Sequence, residues 1–179
     1  MIPIYCSNKL SKLGEISLFT PHEEIIEKSI GGWNAQLFIL NRKKYIMFVN
    51  NKTFYSVIVS CFLKKNLKQL ETLFLKRYIE QLIFDKVIAP VDGLLVQLTH
   101  LPLVFTKTNN DRKTIGTMND FILNFKFTYD LLEEEENGVK ELNHNINTSP
   151  IKTRNISSKK YTTPIADMKV ILEMDNSMQ

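Results

Sequence analysis

The segment 33–62 constrains the fold more than any other part of the chain. It contains three short apolar runs rich in β-branched and aromatic residues, and polar turns separate the runs at 41–43 and 50–52. This pattern predicts three consecutive antiparallel strands, because asparagine tolerates the left-handed backbone of tight hairpin turns. Two of the runs are apolar at successive positions, so we expect both faces of the sheet to be covered.

Two helices are predicted to supply that cover. In the segment 66–84, apolar residues recur every three or four positions, and lysines lie on the opposite helical face. The segment 115–132 has a similar apolar face, which includes Phe121 and Phe125. These patterns predict an α+β fold in which a mainly antiparallel sheet, with its meander at 33–62, packs against helices at about 66–84 and 115–132.

The polarity of the chain changes along its length and predicts three regions. We expect a globular α+β domain over residues 1–136, a polar loop or linker over 137–163, and a C-terminal helix over 164–174. The middle region lacks the apolar density that would offset the entropy of ordering it. The last helix, opened by Pro164, is apolar enough to pack back onto the domain or onto a partner.

Composition and cysteine usage indicate a cytoplasmic protein. The first residues carry no basic stretch followed by a sustained apolar run, and no apolar stretch is long enough to span a membrane, so we expect no membrane partner. Cys6 and Cys61 lie far apart among apolar neighbours, which is typical of buried thiols in a reducing compartment.

Sequence motifs for catalysis are scarce. The chain has no glycine-rich phosphate loop, and its three histidines are scattered, so we expect no cofactor and no metal site. Acidic and basic residues concentrate on one predicted loop, which holds Lys107, Asp111 and Arg112 as candidate catalytic residues. An aspartate beside cations could hold a metal ion that activates water on a phosphodiester. The alternative, which the single aspartate favours, is a turn with a local ion pair and no enzymatic activity.

The charge distribution favours an anionic partner. The net charge is only +4, but residues 40–78 contain nine basic residues and one acidic residue. Segregated charge of this kind steers anions towards one side of a protein. The candidate nucleic-acid-binding residues are Arg42, Lys43, Lys44, Lys65, Lys68, Lys76 and Lys107. A solvated lysine-rich surface without a ligand is the alternative interpretation.

Short motifs give the chain a resemblance to an uncharacterised bacterial domain family. They are Trp33-Asn34-Ala35-Gln36-Leu37, Asn41-Arg42-Lys43-Lys44, Thr106-Lys107-Thr108 with Asp111-Arg112, and Gly116-Thr117-Met118-Asn119. The corresponding family motifs are W-H-A-N-L, N-R-R-K, T-K-T-x-D-R and G-x-M-N. Among the differences, this chain has Asn34 where histidine is frequent and Lys43 where arginine is usual. Some members occur with a domain named after a plasmid open reading frame, which implies a mobile-element setting but no activity.

Three functional hypotheses follow from these observations. The first is a non-enzymatic accessory protein of a mobile element or phage that binds nucleic acid through a basic surface. The second is a protein-interaction or self-associating module, in which a protein partner or a second copy covers an apolar face. The third is a phosphodiester-acting enzyme. A continuous basic face favours the first hypothesis, and a cleft that joins Asp111 to another carboxylate favours the third.

Overall fold

A computed structural model describes residues 1–13, 16–20, 29–60, 68–94, 102–129, 136–152, 154, 156 and 160–177. The strands are β1 (Ile2–Cys6), β2 (Trp33–Leu40), β3 (Lys43–Asn50), β4 (Ser56–Val59), β5 (Leu103–Lys107), β6 (Ile151–Lys152) and β7 (Tyr161–Thr162). The helices are α1 (Asn8–Ser11), α2 (Leu70–Phe84), α3 (Arg112–Tyr129), α4 (Glu136–Thr148) and α5 (Pro164–Ser177), with a 3₁₀ turn at Pro90–Asp92.

Five strands form one mixed sheet in the order β4-β3-β2-β1-β5. The meander predicted for 33–62 is confirmed, since β2, β3 and β4 pair antiparallel in sequence order. β1 lies between β2 and β5 and is parallel to both. The α+β class is therefore confirmed, and the sheet combines an antiparallel meander with a parallel part that comes from segments outside it.

Helices α2 and α5 cover one face of the sheet. The centre of this layer is Trp33, which is fully buried and whose ring centroid lies 5.0 Å from those of both Phe74 and Tyr78. From α5, Met168 is buried in the same core and accepts a hydrogen bond from the Tyr78 hydroxyl at 3.4 Å. α2 coincides with the helix predicted at about 66–84, although residues 66 and 67 lie outside the described part of the chain.

Helices α3 and α4 cover the other face. Phe38 and Tyr45 on neighbouring strands pack against Phe125 of α3, and the hydroxyls of Tyr45 and Tyr129 lie 2.8 Å apart. α3 coincides with the helix predicted at about 115–132 but begins three residues earlier, at Arg112. Both faces of the sheet are therefore covered, as the continuous apolar runs predict.

Helix α4 differs from the sequence expectation, which places an irregular polar loop over 137–163. Its apolar face is short because it consists mainly of Leu142 and Ile146. Two buried asparagines, Asn143 and Asn147, complete that face and bond to Ser56 on the edge strand β4. The helix is thus stabilised by polar contacts that a search for apolar periodicity does not detect.

Candidate nucleic-acid interface

A basic hairpin tip stands at one end of the sheet, where β2 turns into β3. Asn41 and Arg42 both have left-handed backbone conformations, with φ values of 46° and 61°. Two such residues in a two-residue loop are typical of a type I′ turn, which favours glycine at its second position. Arg42 therefore occupies a strained position, and its exposed side chain places a guanidinium at the tip.

Lysines flank this tip on both faces of the sheet. Lys43 pairs with Leu40, which packs on the α3 side, and Lys44 pairs with Ile39 on the α2 side. At the end of α3, the Lys126 ammonium lies 6.0 Å from the ring centroid of Phe38, two residues before Leu40. The last turn of α3 thus adds a cation near the hairpin. We call Arg42, Lys43, Lys44 and Lys126 the hairpin basic group.

The opposite end of α3 begins at Asp111, which caps the helix. Its carboxylate accepts hydrogen bonds from the Thr114 hydroxyl at 2.7 Å and from the backbone N–H groups of Lys113 and Thr114. Arg154 donates two more, at 2.8 and 2.9 Å, in a bidentate ion pair. Burial raises the pKa of Asp111, but the bonds from Arg154 and Thr114 outweigh it and lower the pKa to about 2.

Further cations surround this cap. The Lys113 ammonium and the Arg154 guanidinium lie 5.3 and 4.9 Å from the ring centroid of Phe54, so both are held beside one aromatic ring. Burial and the nearby charges of Arg154 and Lys152 lower the pKa of Lys113, although Asp111 opposes this effect. We call Lys113, Lys152 and Arg154 the helix-start basic group.

This second group contains residues that sequence analysis does not select. The segments 102–119 and 149–154 together hold five basic residues and one acidic residue, Asp111. Two of the five, Lys107 and Arg112, are exposed candidates from the sequence and precede Lys113 along the chain. Lys152 and Arg154 belong to a basic stretch that is visible in the sequence, but only the fold brings that stretch to the start of α3.

The remaining predicted basic residues lie elsewhere. Lys68 and Lys76 are exposed on and just before α2, which covers the face opposite to α3. Lys76 pairs with Glu80 at 3.9 Å, and Lys68 lines a groove together with Glu71 and strand β5. Lys65 lies outside the described residues. The fold therefore separates the cations of α2 from Lys126 and from the helix-start basic group, whereas Lys44 of the hairpin basic group lies on the α2 side of the sheet.

The three candidate catalytic residues, Lys107, Asp111 and Arg112, do not form a metal-binding arrangement in the described part of the chain. Both carboxylate oxygens of Asp111 bond to Arg154, so a metal ion would have to displace the guanidinium. No group of three or more potential metal ligands occurs among the described residues. The geometry supports a helix cap with an ion pair, and the partner of Asp111 is 43 positions away rather than local.

A buried polar cluster around Asp85 is the largest feature that sequence analysis misses. The Asp85 side chain is fully buried just after α2, and its oxygens accept bonds from the Tyr55 hydroxyl at 2.6 Å and from Gln81 at 2.9 Å. From α4, Asn147 donates to it at 3.1 Å, and His144 Nδ1 lies 2.8 Å away.

This cluster joins three elements of the fold. Burial and the adjacent Asp85 carboxylate raise the pKa of Tyr55, so its hydroxyl acts as a donor. Because both oxygens of Asp85 are bonded to side chains of α2, of α4 and of Tyr55, which directly precedes β4, the cluster connects these parts of the fold.

Comparison with protein families identifies the family of this chain. A model of a domain of unknown function, DUF6933, matches residues 3–167. The chain belongs to this family. The match extends from β1 into α5, so it includes both basic groups and the Asp85 cluster, and it confirms the expectation of an uncharacterised domain family. Comparison with curated proteins gives no match. Among the described residues, no helix is long and apolar enough to cross a membrane.

Proposed function

We propose that this protein binds nucleic acid without acting on it chemically, as an accessory protein of a mobile element or phage. The observation that supports the proposal is the arrangement of its cations, since the hairpin basic group and the helix-start basic group lie at opposite ends of α3. Phosphate contacts by lysine and arginine supply most of the affinity of such proteins.

The separation of the two groups suits a polyanion better than a small anion. α3 has 18 residues, which corresponds to a length of roughly 27 Å at 1.5 Å per residue. That length equals the rise of about eight nucleotides in one strand. A chain of phosphates can therefore contact both groups at once.

Salt-dependent binding tests the proposal. The affinity of the full chain for fluorescent DNA and RNA oligonucleotides is measured by anisotropy between about 50 and 200 mM salt, where counterion release predicts a steep loss. A Lys113→Ala/Lys152→Ala variant, the helix-start variant, should bind more weakly and show a shallower salt slope. A Lys68→Ala/Lys76→Ala variant removes the same charge from the opposite face, and its binding should change little.

Arg42→Gly separates binding from stability. Arginine in the left-handed region costs about 1–2 kcal/mol, whereas glycine loses about 0.5–1 kcal/mol of extra backbone entropy on folding. The variant should therefore keep or slightly increase the free energy of unfolding, yet bind more weakly. Undetectable or salt-independent binding of the wild-type chain would refute the proposal. An equal loss of affinity in the helix-start variant and the α2 variant would refute the assigned surface.

A further inference from the structure

Helix α3 exposes two large apolar side chains on its outer side. Phe127 is 73% exposed and Leu123 is 54% exposed, whereas Phe125 is fully buried against the sheet. Phe127 and Leu123 are four residues apart, so they lie next to each other on the helix surface. Together they form an apolar patch that the described fold leaves open to solvent.

This patch lies between sources of positive charge. Lys126 directly precedes Phe127 and belongs to the hairpin basic group, and the helix-start basic group lies at the other end of the same helix. The exposed Asp120 is one helical turn before Leu123 and is the one acidic residue within α3 itself, Arg112–Tyr129. An exposed aromatic ring on a helix with cations near both of its ends is suited to a ligand with both phosphates and flat apolar groups.

We infer that Phe127 is a stacking platform for a nucleobase, and that the protein prefers single-stranded nucleic acid over a duplex. This inference rests on the proposed function. In a duplex the base faces are stacked inside the helix, so a duplex offers only phosphates to the two basic groups. In a single strand the bases are accessible to an exposed aromatic ring, and stacking tolerates any base sequence.

Replacement of Phe127 gives a measurable expectation. Base–aromatic stacking contributes about 1–3 kcal/mol per base, so Phe127→Ala should weaken the binding of single-stranded 12-mers of dT or rU about five- to 140-fold. Binding of a 12-base-pair duplex should change less than twofold. Because no charge is removed, the salt slope should stay the same. Phe127→Trp should bind single strands about as tightly as the wild-type chain does, since an indole ring also stacks on bases.

The matched control is Leu94→Ala, which truncates a side chain of similar exposure, 66%, on the α2 side of the protein, where the neighbouring Gly93 lies against Ile79. It should leave both affinities unchanged. The stacking role is wrong if Phe127→Ala lowers the affinities for single strands and for the duplex equally, or lowers neither. The proposed function still stands in that case, provided that the helix-start variant binds more weakly. If the wild-type chain binds no nucleic acid, both are wrong. If sedimentation shows a dimer that Phe127→Ala dissociates, the patch serves a second copy of the chain, and the inference is wrong.

Discussion

Asn147→Ala probes the contact between α4 and the edge strand β4. The Asn147 side chain makes four buried hydrogen bonds. Its oxygen accepts from the backbone N–H and the hydroxyl of Ser56, both at 2.8 Å. Its amide donates to the Ser56 carbonyl and to Asp85, both at 3.1 Å. The variant removes all four, but the consequences differ because some of the partners have other bonds.

The expected cost follows from the groups left without a partner. The hydroxyl and carbonyl of Ser56 keep bonds to Asn143, at 2.8 and 2.9 Å. The Ser56 N–H, which points away from the sheet at its edge, loses its acceptor, and the buried Asp85 carboxylate loses one donor. An unsatisfied buried polar group costs about 1–3 kcal/mol, and more where a charge is involved. We therefore expect the free energy of unfolding to fall by about 2–5 kcal/mol.

Urea unfolding followed by circular dichroism measures this change, with Asn145→Ala as the control. Asn145 is on the same helix but exposed, so its replacement carries the same helix-propensity gain without the buried bonds. We expect the control to change stability by no more than about 0.5 kcal/mol. A loss in Asn147→Ala that matches the control would refute the argument that these asparagines hold the sheet edge.

Two further predictions concern ionisable groups. The pKa of Asp111 is lowered from its ordinary 3.8 to about 2, so its contribution to stability is present above pH 4 and is lost as the pH falls from about 4 to about 2. Allowing for its partial exposure, we expect Asp111→Asn to remove about 1–2 kcal/mol of acid-dependent stability, measured by urea unfolding between pH 2 and 5; identical pH profiles would contradict this. Burial raises the pKa of Cys6 to about 12, so in a Cys61→Ser variant at pH 8 a thiol reagent should modify Cys6 in urea but not in the native protein. Rapid modification of the native protein would contradict the burial.

The parts of the fold that sequence predicts are those fixed by local patterns. The β2–β4 meander and helices α2 and α3 follow from periodicity within a few residues of each position. Helix α4 does not, because Asn143 and Asn147 are held by hydrogen bonds to Ser56, which is 87 and 91 positions earlier. The same reasoning applies to Asp85, whose donors come from three separate parts of the chain.

The candidate surface shows the same division between local and distant information. The basic residues of the hairpin tip are visible in the sequence together with their turn. That Arg154 bonds to Asp111, and that α2 carries Lys68 and Lys76 to the other face, depends on long-range packing. The sequence therefore shows which residues are cationic, but not on which face of the protein each of them lies.

Because β1 lies between β2 and β5, the sheet can be completed only after a long later stretch of the chain has been made. β1 is made well before its second neighbour, β5, in which Leu103 pairs with Ile2. Ribosomes add about 5–20 residues per second, so the stretch from the end of β4 at Val59 to the end of β5 at Lys107 takes roughly 2–10 s. During that interval the β1 backbone has one open side, and pairings of such high sequence separation form slowly. The nascent chain is therefore most exposed to strand addition by other chains before β5 emerges.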